Sequence, residues 1–192
     1  MLPTPTIAGT FSADALLGAE QPQARPLWLQ ALLFGAVFLL LQTGYGALRD
    51  TWVERLVIDT FTVKSAVWSI RAMTPDIAVE AIGTRLKAPG GGINIINGCE
   101  GTEVLFLLCA AFASVRMPWR ARLAGVLVGT ILVFVLNQGR VLALFYAYRS
   151  DKALFDLLHG TLAPLLLIAL SAVFFFFWVE RYGAPAAAHS NS

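Results

Sequence analysis

Four long apolar segments alternate with polar segments along the chain. They cover residues 27–48, 98–115, 123–146 and 157–179. Each segment is close to the ~20 residues that an α-helix needs to cross the hydrocarbon core of a bilayer. The pattern therefore predicts about four membrane-spanning helices.

The region between the first two apolar segments has a different pattern. Charged residues alternate with apolar ones over positions 49–71, which is typical of a helix that lies on the membrane surface rather than crossing it. Glycines and prolines follow, together with two stretches rich in β-forming residues, IAVEAI (77–82) and INII (93–96). We expect these two stretches to pair as a short hairpin.

The two ends of the chain lack any periodic apolar pattern. Residues 1–26 contain four prolines among small and polar residues, and residues 181–192 are rich in alanine. We expect both ends to be disordered tails. Residues 27–180 between them are predicted to form a single membrane domain.

Composition agrees with a membrane protein. Hydrophobic residues make up 57% of the chain and charged residues 14%, and the mean hydropathy is +0.69. These values are too apolar for a soluble domain, so the predicted fold is an all-α polytopic membrane protein whose main environment is the lipid bilayer. A net charge of +2, spread along the chain, argues against a nucleic-acid partner.

The orientation in the membrane follows from a short basic loop. Arg116, Arg120 and Arg122 lie between the second and third apolar segments, and cytoplasmic loops carry an excess of positive charge. With four spans, both termini would then be cytoplasmic. The segments 49–98 and 147–156 would face outward, which in a bacterial inner membrane is the periplasm.

A few polar residues lie within the apolar segments, where polar groups are costly and usually face the interior of a helix bundle. They are Cys99, Glu100, Glu103, Asn137, Arg140 and His159. Counting from the cytoplasmic boundary places Cys99, Arg140 and His159 at heights of roughly 26, 27 and 32 Å. We therefore expect these three side chains to meet near the outer membrane interface.

A thiol, a guanidinium and an imidazole at one level can catalyse acyl transfer. Cys99 would attack a carbonyl, His159 would take and return a proton, and Arg140 would stabilise the thiolate or the oxyanion. The plain alternatives are that Cys99 is a small buried apolar residue and that His159 is an ordinary interfacial residue. Cys109, within an apolar run, is expected to be structural.

Three further residues are candidates for supporting roles. Glu103 would orient Arg140, or the two would form a purely structural ion pair. Asn137 would donate to an oxyanion, or would satisfy the backbone at a helix break near Gly139. Asp156, three residues before His159, would fix the tautomer of the imidazole.

The order of these motifs resembles the exosortase/archaeosortase family. The matching residues are N-G-C-E-G at 97–101, N-Q-G-R at 137–140 and His159 at the start of the last span, within a region of about 75–180. The resemblance implies that Cys99, Arg140 and His159 are catalytic, with Cys99 as the nucleophile. The chain is similar to the compact branch that includes exosortase H, because it has about four spans rather than the eight or so of larger exosortases.

The resemblance also implies a partner and a reaction. The partner would be a membrane-anchored exported protein with a carboxy-terminal sorting signal. The enzyme would cleave this signal and transfer the new carboxyl end of the protein to a surface acceptor. Two other classes remain open: a non-enzymatic scaffold or assembly subunit, and a membrane acyltransferase that uses a Cys99 thioester. No cofactor or metal is expected, because the His, Cys, Asp and Glu residues lack ligand spacing.

Overall fold

The computed structural model describes residues 26–96 and 98–183. The predicted tails at 1–26 and 181–192 lie outside this part of the chain, apart from Pro26 and residues 181–183. The helices are α1 (Leu27–Ala47), α2 (Trp52–Arg55), α3 (Ser65–Met73), α4 (Thr102–Ser114), α5 (Trp119–Ser150), α6 (Lys152–Leu157) and α7 (Ala163–Tyr182). Two π-helical segments, π1 (Leu56–Lys64) and π2 (Leu158–Leu162), join α2 to α3 and α6 to α7.

Three helices are long and apolar enough to cross a membrane within the described residues. They are Leu27–Ala47, Trp119–Ser150 and the continuous helix Lys152–Tyr182. The prediction of a helical polytopic membrane protein is confirmed. The structure adds a small antiparallel sheet.

The second predicted span is shorter than expected. Helix α4 has 13 residues, which is about 20 Å of helix and less than the ~30 Å hydrocarbon core. It begins at Thr102 rather than at Gly98, because Gly98 (φ 91°) and Gly101 (φ 83°) adopt left-handed backbone conformations that interrupt a right-handed helix. Residues 98–101 instead form a turn that precedes α4.

The inner core lies between α4, α5 and α7, and it consists of Val104, Leu108, Phe112, Val133 and Leu167. Phe112 contacts Phe175 edge to face, with ring centroids 5.1 Å apart. On α5, a Cβ built on Gly125 would lie 2.7 Å from Trp178 Nε1, and one on Gly129 would lie 2.5 Å from Leu108 Cδ2. This spacing of small residues lets the three helices approach closely.

The helix predicted on the membrane surface is the continuous segment formed by α2, π1 and α3. It buries a row of residues that includes Ile58, Val63, Ala66 and Ile70, and this row packs against the sheet and the carboxy-terminal part of α5. Trp52 and Trp68 are exposed on other faces of the segment. Its apolar positions therefore serve an internal core, and further apolar side chains remain exposed.

The sheet has three antiparallel strands in the order β1 (Glu80–Ile82), β2 (Arg85–Lys87) and β3 (Ile93–Asn94). The predicted pairing of 77–82 with 93–96 is wrong: both segments contain strands, but each strand pairs with β2. Gly83, with φ 56°, closes a two-residue turn between β1 and β2, as short hairpins require. Sequence reasoning missed β2 because its one buried apolar residue, Leu86, lies between two charged ones.

The outer core joins this sheet to the long helix α5. It comprises the buried row of the 52–73 helix, strand residues such as Leu86 and Ile93, Cys99, and Val141, Leu144 and Phe145 of α5. Helix α5 has 32 residues, about 48 Å, and so extends well beyond a ~30 Å core. At its end, Arg149 Nη1 donates to the carbonyl of Pro89 at 2.7 Å.

Candidate functional site

Cys99 lies in the turn that precedes α4. Its backbone N–H donates to the carbonyl of Ile96 at 3.0 Å, and its side chain is 8% exposed. The helix itself is capped by Gly101, so Cys99 does not begin the helix as the sequence suggested. The thiol lies at the boundary between the outer core and the membrane helices.

Arg140 approaches the thiol from α5. Its Nη2 lies 3.9 Å from Cys99 Sγ, within the range of a weak N–H···S hydrogen bond. Its Nε is buried and has no hydrogen-bond partner among the described residues. The guanidinium therefore keeps a free donor beside the candidate nucleophile.

The expected link between Glu103 and Arg140 is not formed. Glu103 is exposed, and its Oε1 lies near Gly98, 3.7 Å from a Cβ built there. Within the described part of the chain, no ion pair joins it to Arg140. The expectation assumed that Cys99 and Glu103, four residues apart, lie on one face of a continuous helix. The turn at 98–101 interrupts that helix, so the two side chains do not share a face.

His159 shares a cavity with Cys99. The cavity has a volume of about 180 Å³, and its walls are residues 92–96, Cys99, Val141, Leu144, Tyr148, Phe155 and His159. The imidazole stacks on the Phe155 ring at 5.4 Å between centroids and 4° between planes. Its Nδ1 is buried and finds no hydrogen-bond partner in the described residues.

Asp156 does not hold the imidazole. It is exposed and makes no hydrogen bond to His159. Residues three and four positions apart are both neighbours on a helix, and it is the residue four positions back, Phe155, that contacts the ring.

Asn137 is fully buried one turn before Arg140. It is 2% exposed, and its Oδ1 has no partner among the residues that the structure describes. A Cβ built on Gly101 would lie 3.0 Å from Asn137 Cγ, so this side chain packs directly against the turn that carries Cys99. The helix continues through Gly139 without a break. Asn97, the first residue of the turn motif, lies outside the described residues.

Burial dominates the electrostatics of Cys99. It raises the pKa of the thiol, the Arg140 guanidinium opposes this change, and the Glu100 carboxylate adds to it. The sequence suggested that Arg140 would produce a lowered pKa, and the balance runs the other way. At neutral pH the resting thiol is therefore protonated, so its attack on a carbonyl would need a base.

Sequence reasoning gave Glu100 no role at the site. The side chain is 9% exposed. One oxygen, Oε1, accepts from Thr102 Oγ1 at 3.1 Å, and Oε2 is buried without a partner among the described residues. One feature of the sequence could have pointed to Glu100: a carboxylate within an apolar segment is costly, and such residues often have a functional role.

Comparison with known proteins identifies the family. A sequence model of the transmembrane exosortases (Exosortase_EpsH) matches residues 15–178. No curated protein and no solved structure matches the chain significantly. Because the matched region covers most of the chain, including the turn at Cys99, Arg140 and His159, the chain belongs to the transmembrane exosortase family.

Proposed function

We propose that this chain is a membrane-embedded cysteine peptidase and transpeptidase that cleaves carboxy-terminal sorting signals of exported proteins. Family membership supports a sorting-related membrane transpeptidase at the level of the family. The observation that carries the finer proposal is the convergence on Cys99. Arg140 Nη2 lies 3.9 Å from its sulfur, and His159 lines the same cavity.

The reaction follows from these three groups. His159 takes the proton of the Cys99 thiol as the sulfur attacks the scissile carbonyl, and Arg140 donates to the developing oxyanion. His159 then protonates the leaving amine as the C–N bond breaks, which leaves a thioester on Cys99. An acceptor nucleophile, or water, resolves the thioester and frees the thiol.

The buried, protonated thiol supports this order of events. Since burial raises the pKa of Cys99, a thiolate forms only when a base takes the proton. The unpartnered Nδ1 of His159 is a nitrogen without a competing hydrogen bond. Asn137 positions the Cys99 turn through its contact with Gly101.

The setting of the reaction is part of the proposal. Residues 27–180 act as one membrane domain in a bacterial inner membrane, with the Cys99 cavity on the periplasmic side. The substrate is an exported protein whose carboxy-terminal helix is still in the membrane. The acceptor is a molecule at the cell surface.

A covalent adduct tests the function. The reporter is a tagged exported protein of the same cell that ends in a membrane helix followed by basic residues. Wild-type protein should cleave it, and rapid acid quenching followed by mass spectrometry should find a reporter peptide attached to Cys99. Cys99→Ala should fold and fail to cleave, while Cys109→Ala should cleave normally.

The same experiment separates the alternatives. An attached lipid acyl chain in place of a peptide would indicate an acyltransferase. Normal reporter cleavage by Cys99→Ala would refute the proposal. Unchanged surface assembly in cells carrying Cys99→Ala would favour a scaffold.

A further inference from the structure

A second cavity opens on the membrane side of the Cys99 turn. This lateral groove has a volume of about 450 Å³ and lies between π1, the start of α4 and the middle of α5. Its walls include Phe61, Leu105, Ile131 and Phe134. Phe61 and Ile131 are more than half exposed, so none of the described residues covers the groove, and it is open to the lipid.

Glu100 is the charged residue in this apolar wall. The groove also contains Thr62, Thr102 and Thr130, whose hydroxyls donate to acceptors in this chain. Oε2 of Glu100, by contrast, is buried without a partner among the described residues. The Tyr45 hydroxyl on α1 interacts with this carboxylate, but the two groups are not aligned for a full hydrogen bond.

A buried carboxylate oxygen without a well-aligned donor is costly. An occupant of the groove that brings N–H donors to this level would remove that cost. The lower part of the groove is apolar, so the occupant must also present an apolar surface to Leu105, Ile131 and Phe134. The start of a membrane helix has both properties, since its first four N–H groups are unpaired and its dipole is positive there.

We propose that the lateral groove binds the outer end of the substrate's membrane helix, and that Glu100 accepts hydrogen bonds from the free N–H groups of its first turn. The inference rests on the proposed function, in which the substrate is still anchored by a carboxy-terminal helix. Such a helix runs inward from the outer face, so its amino-terminal end lies at the height of Cys99. In hydrocarbon those N–H groups need an acceptor from protein.

The position of Glu100 next to Cys99 gives the bound substrate a direction. Cys99 lines the cavity that it shares with His159, and the next residue, Glu100, lines the lateral groove. Consecutive Cα atoms are about 3.8 Å apart. A substrate chain that passes from the Cys99 cavity into the lateral groove therefore passes the thiol just before the substrate's membrane helix begins. This places the scissile bond just before that helix.

Photocrosslinking tests the groove. A photoreactive residue is placed at Phe134, in the groove, or at Val173, a half-exposed position on α7 outside it. Both are made in the Cys99→Ala background with the co-expressed reporter, and mass spectrometry maps the crosslinks. We expect Phe134 to capture the first two turns of the reporter helix and Val173 to capture lipid.

Variants of Glu100 test the hydrogen bonds. Glu100→Ala should reduce the Phe134 crosslink about tenfold, because a hydrogen bond to a charged group is lost. Glu100→Gln keeps one acceptor and should lose less. Glu180→Gln, exposed at the other end of α7, is the matched control and should change nothing.

The outcomes separate the groove from the reaction. Crosslinks from Phe134 to lipid alone, equal capture at Val173, or capture that is indifferent to both Glu100 variants would overturn the inference. If Glu100→Ala does not fold, Glu100→Gln and the mapped position of the crosslink decide. Cleavage that depends on Cys99 without helix capture at Phe134 refutes the groove alone, whereas a wild-type protein that never cleaves the reporter refutes the proposed function as well.

Discussion

Gly101 lies directly against Asn137, such that a Cβ on the glycine would come within 3.0 Å of Asn137 Cγ. The contact joins the two sequence motifs, since one residue belongs to the Cys99 turn and the other lies one turn before Arg140. Gly101 also has a φ of 83°, a backbone angle that residues with a side chain rarely adopt. Two independent constraints therefore require glycine at this position.

Replacing Gly101 should damage both stability and activity. Gly101→Ala adds backbone strain of about 1–3 kcal/mol and a clash with Asn137, so the unfolding free energy in detergent micelles should fall and reporter cleavage should stop. Gly139→Ala is the control, because Gly139 is helical and has nothing within 4 Å of its Cβ position. It should be neutral or stabilising by about 0.5–1 kcal/mol. Equal effects of the two variants would contradict the contact argument.

The shape of the Arg140 side chain should matter, and not only its charge. Arg140→Lys keeps the charge and loses the planar group whose Nη2 lies 3.9 Å from Cys99 Sγ. Reporter cleavage should fall by about 10²–10³-fold, the cost of one lost oxyanion donor, while the amount of folded protein stays constant. Arg120→Lys, exposed near the start of α5, should cleave normally. Normal cleavage by Arg140→Lys would refute the directed role of the guanidinium.

The pKa of Cys99 can be measured through its alkylation rate. Because burial raises this pKa, the thiolate fraction at neutral pH should be smaller than that of a free cysteine, and the rate should keep rising in the alkaline range. In a Cys109→Ala background, Arg140→Met should move the midpoint to higher pH, since a cation that favours the thiolate is lost. Glu100→Gln should move it to lower pH. Opposite shifts would show that these two groups do not control the thiol.

Loss of His159 should be partly compensated at high pH. If the imidazole serves as the base for a protonated thiol, His159→Ala should cleave poorly near neutrality and recover part of the wild-type rate at alkaline pH, where direct ionisation of Cys99 supplies the thiolate. The rest of the loss reflects the missing proton donor for the leaving amine. Phe155→Leu removes the stacked ring but leaves the imidazole, so its pH profile should keep the wild-type shape. A constant ratio between His159→Ala and wild type at all pH values would exclude this role.

Membrane orientation can be tested with single cysteines. A membrane-impermeant thiol reagent applied to intact cells should label a cysteine at Lys87, an exposed residue of strand β2. It should not label one at Trp119, an exposed residue at the start of helix α5. Reversed labelling would place Cys99 on the cytoplasmic side and rule out the proposed location.

Hydropathy alone predicted the helical membrane fold, because apolar length is a strong signal in a chain of this composition. It overestimated the second span, since positive φ angles at Gly98 and Gly101 depend on tertiary contacts such as that with Asn137. Helical spacing makes both Phe155 and Asp156 neighbours of His159, and spacing alone could not decide that Phe155 packs on the ring. A three-residue strand such as β2 carries too short a pattern to detect.

The sequence predicted that Cys99, Arg140 and His159 lie near one another. It did not predict the positions of Glu103 and Asp156, or what surrounds the thiol. Heights along the helices placed Cys99 and Arg140 at one level. In the structure, Arg140 Nη2 lies 3.9 Å from Cys99 Sγ. The outer core was not foreseen, because its members come from four separate parts of the chain. The same packing buries the thiol, and burial outweighs Arg140 in setting the direction of its pKa.

Helix α5 fixes the distance between the candidate site and the loop before β3. Arg140 contacts the thiol and Arg149, nine residues later, binds the carbonyl of Pro89, a distance of about 13.5 Å along a single helix. One inserted residue would rotate Arg149 by about 100° and detach the loop before β3. The span from 141 to 148 therefore has a fixed length, and the depth of the Cys99 cavity is set by the pitch of one helix.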